Sequence, residues 1–388
     1  MLKGLKNWFG EHFNFLCFWR NKNSPETPET ERSLIDLPTA LREKLVTAIQ
    51  NLPINPADQE AIFFALNETF ERWRENPYHH HNSLVILSSP VTSVSEILAK
   101  TLQQWTEEKQ VAIKLLPITA RPDSIASIKS ELEGYLQPKK GKKDSEIPEV
   151  VVIPNLSCCF LRSLEGLEGI EYIQSLLCNA SDNRFWIIGT NQVGWEYLNC
   201  VYNLEAFCQE VLSLPTNSSQ QLSEWLDPII DQLEIIFDQP RLNKQSLDDD
   251  KDDRDKYFDR LASVSQGVSI VTIHSFLNSI RYQKADETEE NQPQQGILVA
   301  ENPKLPDVPT LEVADLYLLY SLFLHDDLTM SALAESLGDE LLPVQVRVQV
   351  LRRKGVIETE NEVIKINPIH YPKLKQQLAS NNFIVGKR

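Results

Sequence analysis

Residues 84–100 read LVILSSPVTSVSEILAK. Leu84 to Leu87 form an apolar run without alternation, the pattern of a strand covered on both faces. Ser88-Ser89-Pro90 breaks the run. From Val94 the apolar residues return at spacings of three and four, so VSEILAKTLQQWTEE continues as an amphipathic helix. Three further apolar runs follow, VAIKLLPI (111–118), EVVVIPNL (149–156) and RFWIIGTN (184–191), with helical stretches such as LEGLEGIEYIQSLLCNA between them. Continuous apolar strands alternating with helices predict an α/β fold built on a parallel sheet with both faces covered.

Working outward, residues 38–74 hold two amphipathic helices before the first strand, the second opening on Pro-Ala-Asp. A polar, proline-interrupted stretch at 21–34 separates them from the first twenty residues. Six aspartates between 248 and 255 make a solvated acidic loop, and a Pro/Gln-rich stretch precedes the last eighty residues. The division expected is an N-terminal amphipathic helix (1–20), a linker (21–34), an α/β domain (35–238), an acidic loop (239–256), a helical lid (257–282), a disordered linker (283–308) and a C-terminal domain (309–388).

The strand-turn-helix at 84–100 occupies the place of a phosphate-binding loop, G-x-x-x-x-G-K-[ST], whose glycines permit a backbone cradle and whose lysine and hydroxyl meet phosphate and magnesium. Ser88 and Ser93 stand where the glycines would be, Val94 where the lysine would be, and Ser95 alone matches. The strand that should end in paired acids ends instead in Pro154-Asn155, which carry no charge. Asn191 ends the following strand.

These elements in this order resemble the AAA+ and STAND class of P-loop ATPases. LVILSSPVTSVSEILAKTL takes the place of the phosphate loop, VVVIPNL that of the acidic motif, and IIGTN with Asn191 that of the polar residue on the next strand. SVSQGVSIVTIHSFLNSIR takes the place of the lid. The resemblance spans roughly residues 38–380 and implies a P-loop NTPase-like core with a helical lid, followed by a small α+β winged-helix domain. Because Ser88, Ser93, Val94, Pro154 and Asn155 depart from the motifs, the expectation is a scaffold that is no enzyme and has no cofactor. Weak ATP or ADP binding stays open through Ser95, Asn191 and the helix N-terminal amides.

The last eighty residues give three helices and a β-hairpin, with Gly338 and Gly355 closing the second and third helices. This resembles a winged helix. Its contact residues are expected to be Arg347, Arg352, Arg353 and Lys354, with Glu358, Glu360 and Glu362 making the wing acidic. That wing, and a formal charge of −17, argue against nucleic acid and favour a protein partner. In the first twenty residues Trp8, Phe9, Phe13, Leu16, Phe18 and Trp19 form a broad aromatic face edged by Lys3, Lys6 and Arg20. That face suits a membrane surface or a partner helix, and the sequence leaves both open.

Other clusters carry ordinary readings. Six cysteines without CxxC spacing point to buried reduced thiols. His79-His80-His81 lacks further ligands, no metal site is expected, and no apolar run reaches the length of a membrane span. With 388 residues and 41% apolar content the chain suits two or three folded domains. The expectation is a cytoplasmic scaffold or adaptor, held to a membrane periphery if the N-terminal face meets lipid, with oligomeric state undetermined. The alternatives are a nucleotide-binding switch with little or no hydrolysis, and a DNA-associated regulator.

Overall fold

The structure is a computed structural model and describes residues 37–386 except 77–81, 110, 112, 119, 123, 138–148, 179–183, 238–251 and 284–296. The expected N-terminal docking residues Trp8, Phe9, Phe13, Leu16, Phe18 and Trp19 therefore lie outside the described residues, as do His79-His80-His81.

Two helices lead in, α1 (Thr39–Gln50) and α2 (Pro56–Glu75). The alternating elements that follow are β1 (Ser83–Ser88), α3 (Val94–Lys109), β2 (Ile113–Leu115), α4 (Ile125–Leu136), β3 (Glu149–Ile153), α5 (Glu168–Leu177), β4 (Arg184–Asn191), α6 (Gln192–Tyr202) and β5 (Glu210–Ser213). The five strands form one sheet in the order β2-β3-β4-β1-β5, and every pair in it is parallel. This is an α/β fold built on a parallel sheet with helices on both faces.

Side chains of the central strands alternate between two cores, as the two-residue period requires. Val85, Val151, Ile153, Trp186 and Ile188 pack with Ile128, Leu132, Ile170 and Ile173 of α4 and α5. Leu84, Ile86, Val150, Val152, Phe185 and Ile187 pack with Ile62, Phe70, Leu98 and Trp105 of α2 and α3. Phe70 meets Trp105 edge to face at 5.0 Å. At Gly189 near the end of β4 a Cβ would lie 2.3 Å from the Pro154 carbonyl oxygen, so no larger residue fits without moving backbone.

Next come α7 (Ser219–Leu233), opened by a Ser218–Gln221 capping box, then α8 (Asp253–Ser265) and α9 (Ser269–Ser279). Strands β6 (Ile236–Phe237), β7 (Ile280–Gln283) and β8 (Ile297–Ala300) form a second sheet in the order β6-β8-β7. Thus α8 begins inside the stretch read as an acidic loop, and β8 lies inside the stretch read as linker. The C-terminal module consists of α10 (Val313–His325), β9 (Asp327–Thr329), α11 (Met330–Leu337), α12 (Leu341–Arg353), β10 (Ile357–Glu360), β11 (Val363–Ile366) and α13 (Tyr371–Ser380). Its strands pair antiparallel in the order β10-β11-β9.

The expectation of uniformly buried thiols is corrected. Cys158, Cys159 and Cys208 are buried, and burial pushes the Cys158 and Cys208 thiols up to about 12. Cys178 and Cys200 are exposed, because the first follows the end of α5 and the second lies on the outer face of α6. Among the described residues, no helix is long and apolar enough to cross a membrane.

A polar joint ties α2 to α9. Asn55 caps α2 by accepting from the Ala57 N–H at 2.9 Å, and it donates to Asn217 Oδ1 and Ser269 Oγ at 3.0 and 3.1 Å. Ser269 Oγ in turn donates to Asp58 Oδ2 at 2.8 Å. Burial pushes the Asp58 carboxyl up to about 6, and the Ser269 bond pulls it part of the way back. Its folded-state value is the higher one, so its contribution to stability is full below about 4 and is lost as pH rises through about 6. Asp58→Asn keeps an acceptor for Ser269 and removes the buried charge. It is expected to stabilise the protein by about 1 kcal/mol at pH 8 and by nothing at pH 4, in denaturant titrations at the two pH values. An equal effect at both would show that the Asp58 charge is not what costs stability.

Candidate functional site

The parallel register determines which residues meet. Ser88 pairs with Asn191, and Ile153 pairs with Ile188, so β1, β3 and β4 all end at one edge of the sheet. Ser88, Pro154, Asn155 and Asn191, named from the sequence as separate motif positions, are thereby brought to one edge. The turn from Ser89 to Ser93 leads from that edge into α3.

The turn is closed on itself. Ser88 Oγ donates to the carbonyls of Ser89 and Thr92 at 3.2 and 3.1 Å, and the Ser89 and Thr92 hydroxyls lie 2.7 Å apart. Ser93 and Ser95 share a hydrogen bond of 3.1 Å, while Val94 is buried in the core of α2 and α3. In the first turn of α3 stands Glu96, whose carboxyl burial pushes up to about 7 against the pull of Lys365 and Lys100.

At the ends of β3 and β4 the structure shows what the sequence did not. Asp326, the residue that ends α10, inserts its carboxylate between the two asparagines. Asn191 Nδ2 donates to Asp326 Oδ1 at 2.7 Å, and Asn155 Nδ2 donates to Asp326 Oδ2 at 3.0 Å. Asn191 Nδ2 also reaches Ser157 Oγ at 3.2 Å and the Leu324 carbonyl at 3.0 Å. The amide oxygens serve the local backbone. Asn191 Oδ1 accepts from Gly194 N at 2.7 Å, capping α6, and Asn155 Oδ1 accepts from Ser157 N at 2.9 Å. Desolvation pushes Asp326 up to about 7, the bond from Asn155 pulls it down, neighbouring Asp327 pushes it up again, and Asn191 and Ser157 pull it down. Asp326 has φ 63° and ψ −55°, a backbone region costly for a residue with a Cβ.

Two arginines complete the junction. Arg121 donates to the carbonyls of Phe160, Ser157 and Asp327, so one guanidinium spans the α/β module and the C-terminal module. Arg162 donates through Nη2 to the Ser336 carbonyl at 2.9 Å, and its backbone N–H donates to His325 Nε2 at 3.2 Å. Burial, with the Arg121 and Arg162 charges acting the same way, holds His325 well below the usual histidine range, so it is the neutral ring that accepts.

These side chains decide which ligand chemistry the edge suits. Ser88 to Ser95 contains no lysine or arginine, its hydroxyls are engaged with one another or with loop carbonyls, and both asparagines already hold a carboxylate. The lysine and magnesium arrangement of a G-x-x-x-x-G-K-[ST] loop does not fit here.

At the contact positions expected on α12, Arg352, Arg353 and Lys354 are exposed. Arg347 is half-buried and paired within the module, with Glu312 at 3.2 Å and Asp315 at 3.1 Å. The expected acidic wing is also smaller than its sequence: Glu358 is buried and Glu360 pairs with Lys365, which leaves Glu362 exposed. Asp326, Arg121 and Ser157 were missed by sequence reasoning, because each acts through partners far away in the chain.

No family model and no curated protein matches the chain. Among solved structures, Cdc6p from Pyrobaculum aerophilum is similar with 12% identity and a TM-score of 0.32, over 86% of this chain and 96% of that one. The Aeropyrum pernix ORC2 protein, solved as ADPNP-ADP complexes, has 11% identity and a TM-score of 0.34, over 86% and 94%. A single-residue variant of RuvB from Thermotoga maritima has 16% identity and a TM-score of 0.32, over 82% and 94%. The expectations of a chain that is no enzyme and has no cofactor are corrected on this finding: the structures it is similar to include one solved with adenine nucleotides.

Proposed function

We propose that the chain acts by protein–protein contact, as an adaptor whose AAA+-like module carries a winged-helix-like module that presents the docking face. The observation that supports this is the outward face of α12. Leu342, Val346 and Val350 are 69%, 55% and 42% exposed and lie on one helical row. A helix that reads a DNA groove presents polar and basic side chains along that row, whereas here Arg347 is paired within the module and the exposed basic residues Arg352, Arg353 and Lys354 stand at the last turn and just beyond. The clamp by Asp326, Arg121 and Arg162 supports the same reading, since it holds the module in one orientation against the sheet edge.

The test is fluorescence anisotropy with a short duplex DNA at low salt. No saturable binding is expected. Binding that falls steeply with salt and disappears in the Arg352→Glu/Arg353→Glu variant would assign the module to DNA instead.

A further inference from the structure

The seam between α2 and β5 is open. β5 is the outermost strand on its side of the five-stranded sheet, and α2 packs beside it without filling the space between them. Ala61, Phe64, Ala65 and Thr69 follow the three- and four-residue spacing of one α2 face, and with Leu212 of β5 they line a groove of about 310 Å³. Ala65 and Thr69 are buried in it, while the Phe64 ring is 70% exposed. Two carboxylates at this groove share one base, because Glu68 and Glu210 lie 2.8 and 3.4 Å from Arg72. With Glu60 exposed about one turn earlier, the rim is net acidic.

From this we infer that the groove holds residues 1–20 of the same chain, with their aromatic side chains against Phe64 and their bases at the acidic rim. The chain supplies this occupant on a short tether. Leu37 is buried in one core with Trp225 of α7, whose Nε1 donates to the Pro53 carbonyl at 2.8 Å, and α2 begins three residues after Pro53. Phe64 and Glu68 stand about 12 and 18 Å along α2 at 1.5 Å per residue, so the groove lies on the order of 30 Å from Leu37. The sixteen residues 21–36 span up to about 55 Å, which covers that distance. A tether of this length holds the segment near the groove at an effective concentration in the millimolar range. The charges match as well. Residues 1–20 carry Lys3, Lys6 and Arg20 against Glu11, and the groove offers Glu60, Glu68 and Glu210 against Arg72. An anionic membrane would compete for the same aromatic face, but the formal charge of −17 on the chain opposes its approach. Aromatic rings from the segment and the Phe64 ring then cover one another in a site whose floor is already dry.

A photoreactive benzophenone side chain in place of Ala61, carried by the full chain, reads the occupant directly. The expected crosslink joins position 61 to a peptide from residues 1–20. In a mixture of ordinary and heavy-nitrogen chains, both halves of that crosslink should carry the same label. Chymotrypsin, which cuts after accessible aromatic residues, gives a second reading. Phe64→Glu is expected to speed cleavage between Trp8 and Trp19 by about fivefold or more, because a released segment is cut and a docked one is not. Val201→Glu, at an exposed position of α6 on the opposite face of the sheet, should leave that rate unchanged. Phe64 is exposed, so circular dichroism and melting of Phe64→Glu should match wild type. If the benzophenone chain fails to fold, the cleavage comparison decides alone. A crosslink that misses residues 1–20, or cleavage indifferent to Phe64→Glu, would overturn the docking. A crosslink of mixed label would overturn it in favour of a second copy. Protection from chymotrypsin that arises only when phosphatidylserine vesicles are added would overturn it in favour of lipid.

Discussion

Asn191→Asp is expected to lower the unfolding free energy by about 3 to 5 kcal/mol at pH 8, although it changes one amide to a carboxylate of the same size. The new oxygen at this position still caps α6 by accepting from Gly194 N, so the helix start survives. What is lost is the Nδ2 donor, which serves Asp326 Oδ1, Ser157 Oγ and the Leu324 carbonyl. In its place a second carboxylate faces Asp326 in a site where the first is already pushed up to about 7 by desolvation. Two carboxylates at hydrogen-bonding distance cannot both remain ionised, and one proton must be shared. The penalty should therefore fall by half or more at pH 5, where the proton is available. Denaturant titration at pH 5 and pH 8 measures this, with Asn191→Ala as the companion, which loses the cap and the donors but adds no charge. A deficit for Asn191→Asp that does not change with pH would mean that charge repulsion is not its cause. Asn155→Asp, which would put an acid back at the end of β3, faces the same Asp326 oxygen pair and should show the same pH dependence.

The network also marks the boundary between what was legible in the sequence and what was not. Leu84–Leu87, Val150–Ile153 and Phe185–Ile188 are apolar without alternation because both sheet faces are covered, and that local signal gave the strands and their parallel arrangement. Ser88, Asn155 and Asn191 were read only as separate motif positions, and it is the parallel register that brings them to one edge. Their partner was not legible. Asp326 pairs with Asn191 across 135 residues and sits in a His-Asp-Asp run that reads as any polar helix end. Long-range polar pairing has no periodicity, so no window along the chain contains it. The two-residue strand β6, and β8 within a Pro/Gln-rich stretch, were hidden for a related reason: each is too short to display a period. Arg347 illustrates the remaining gap. A basic residue on an amphipathic helix reads as a contact, and only the fold shows Glu312 and Asp315 neutralising it.

Arg121→Ala is the second variant expected to have a large effect, a loss of about 3 kcal/mol, from a side chain that no motif identifies. Its guanidinium is planar with donors fixed in a fork, and here the fork meets three carbonyls on two segments: Ser157 and Phe160 after β3, and Asp327 at the start of β9. Charge-assisted bonds to carbonyls are worth about 1.5 to 3 kcal/mol each in favourable cases, and removal of the shared donor strands all three acceptors together. Arg121→Lys retains the charge but not the fork. One ammonium can reach one or two of these carbonyls, so lysine should recover less than about half of the loss. If charge alone mattered, through its effect on Asp327 and His325, lysine would recover nearly all of it. The two accounts also differ in where the protein loosens. Loss of the fork should speed hydrogen exchange at Leu161 and along β9, on both sides of the junction, and leave the α2–α3 core around Phe70 and Trp105 protected, because that core shares no contact with the arginine. The same fork that joins the C-terminal module to the sheet edge thus fixes the orientation in which α12 is presented, so a chain lacking it should keep its fold while losing the fixed geometry that the proposed docking through α12 requires.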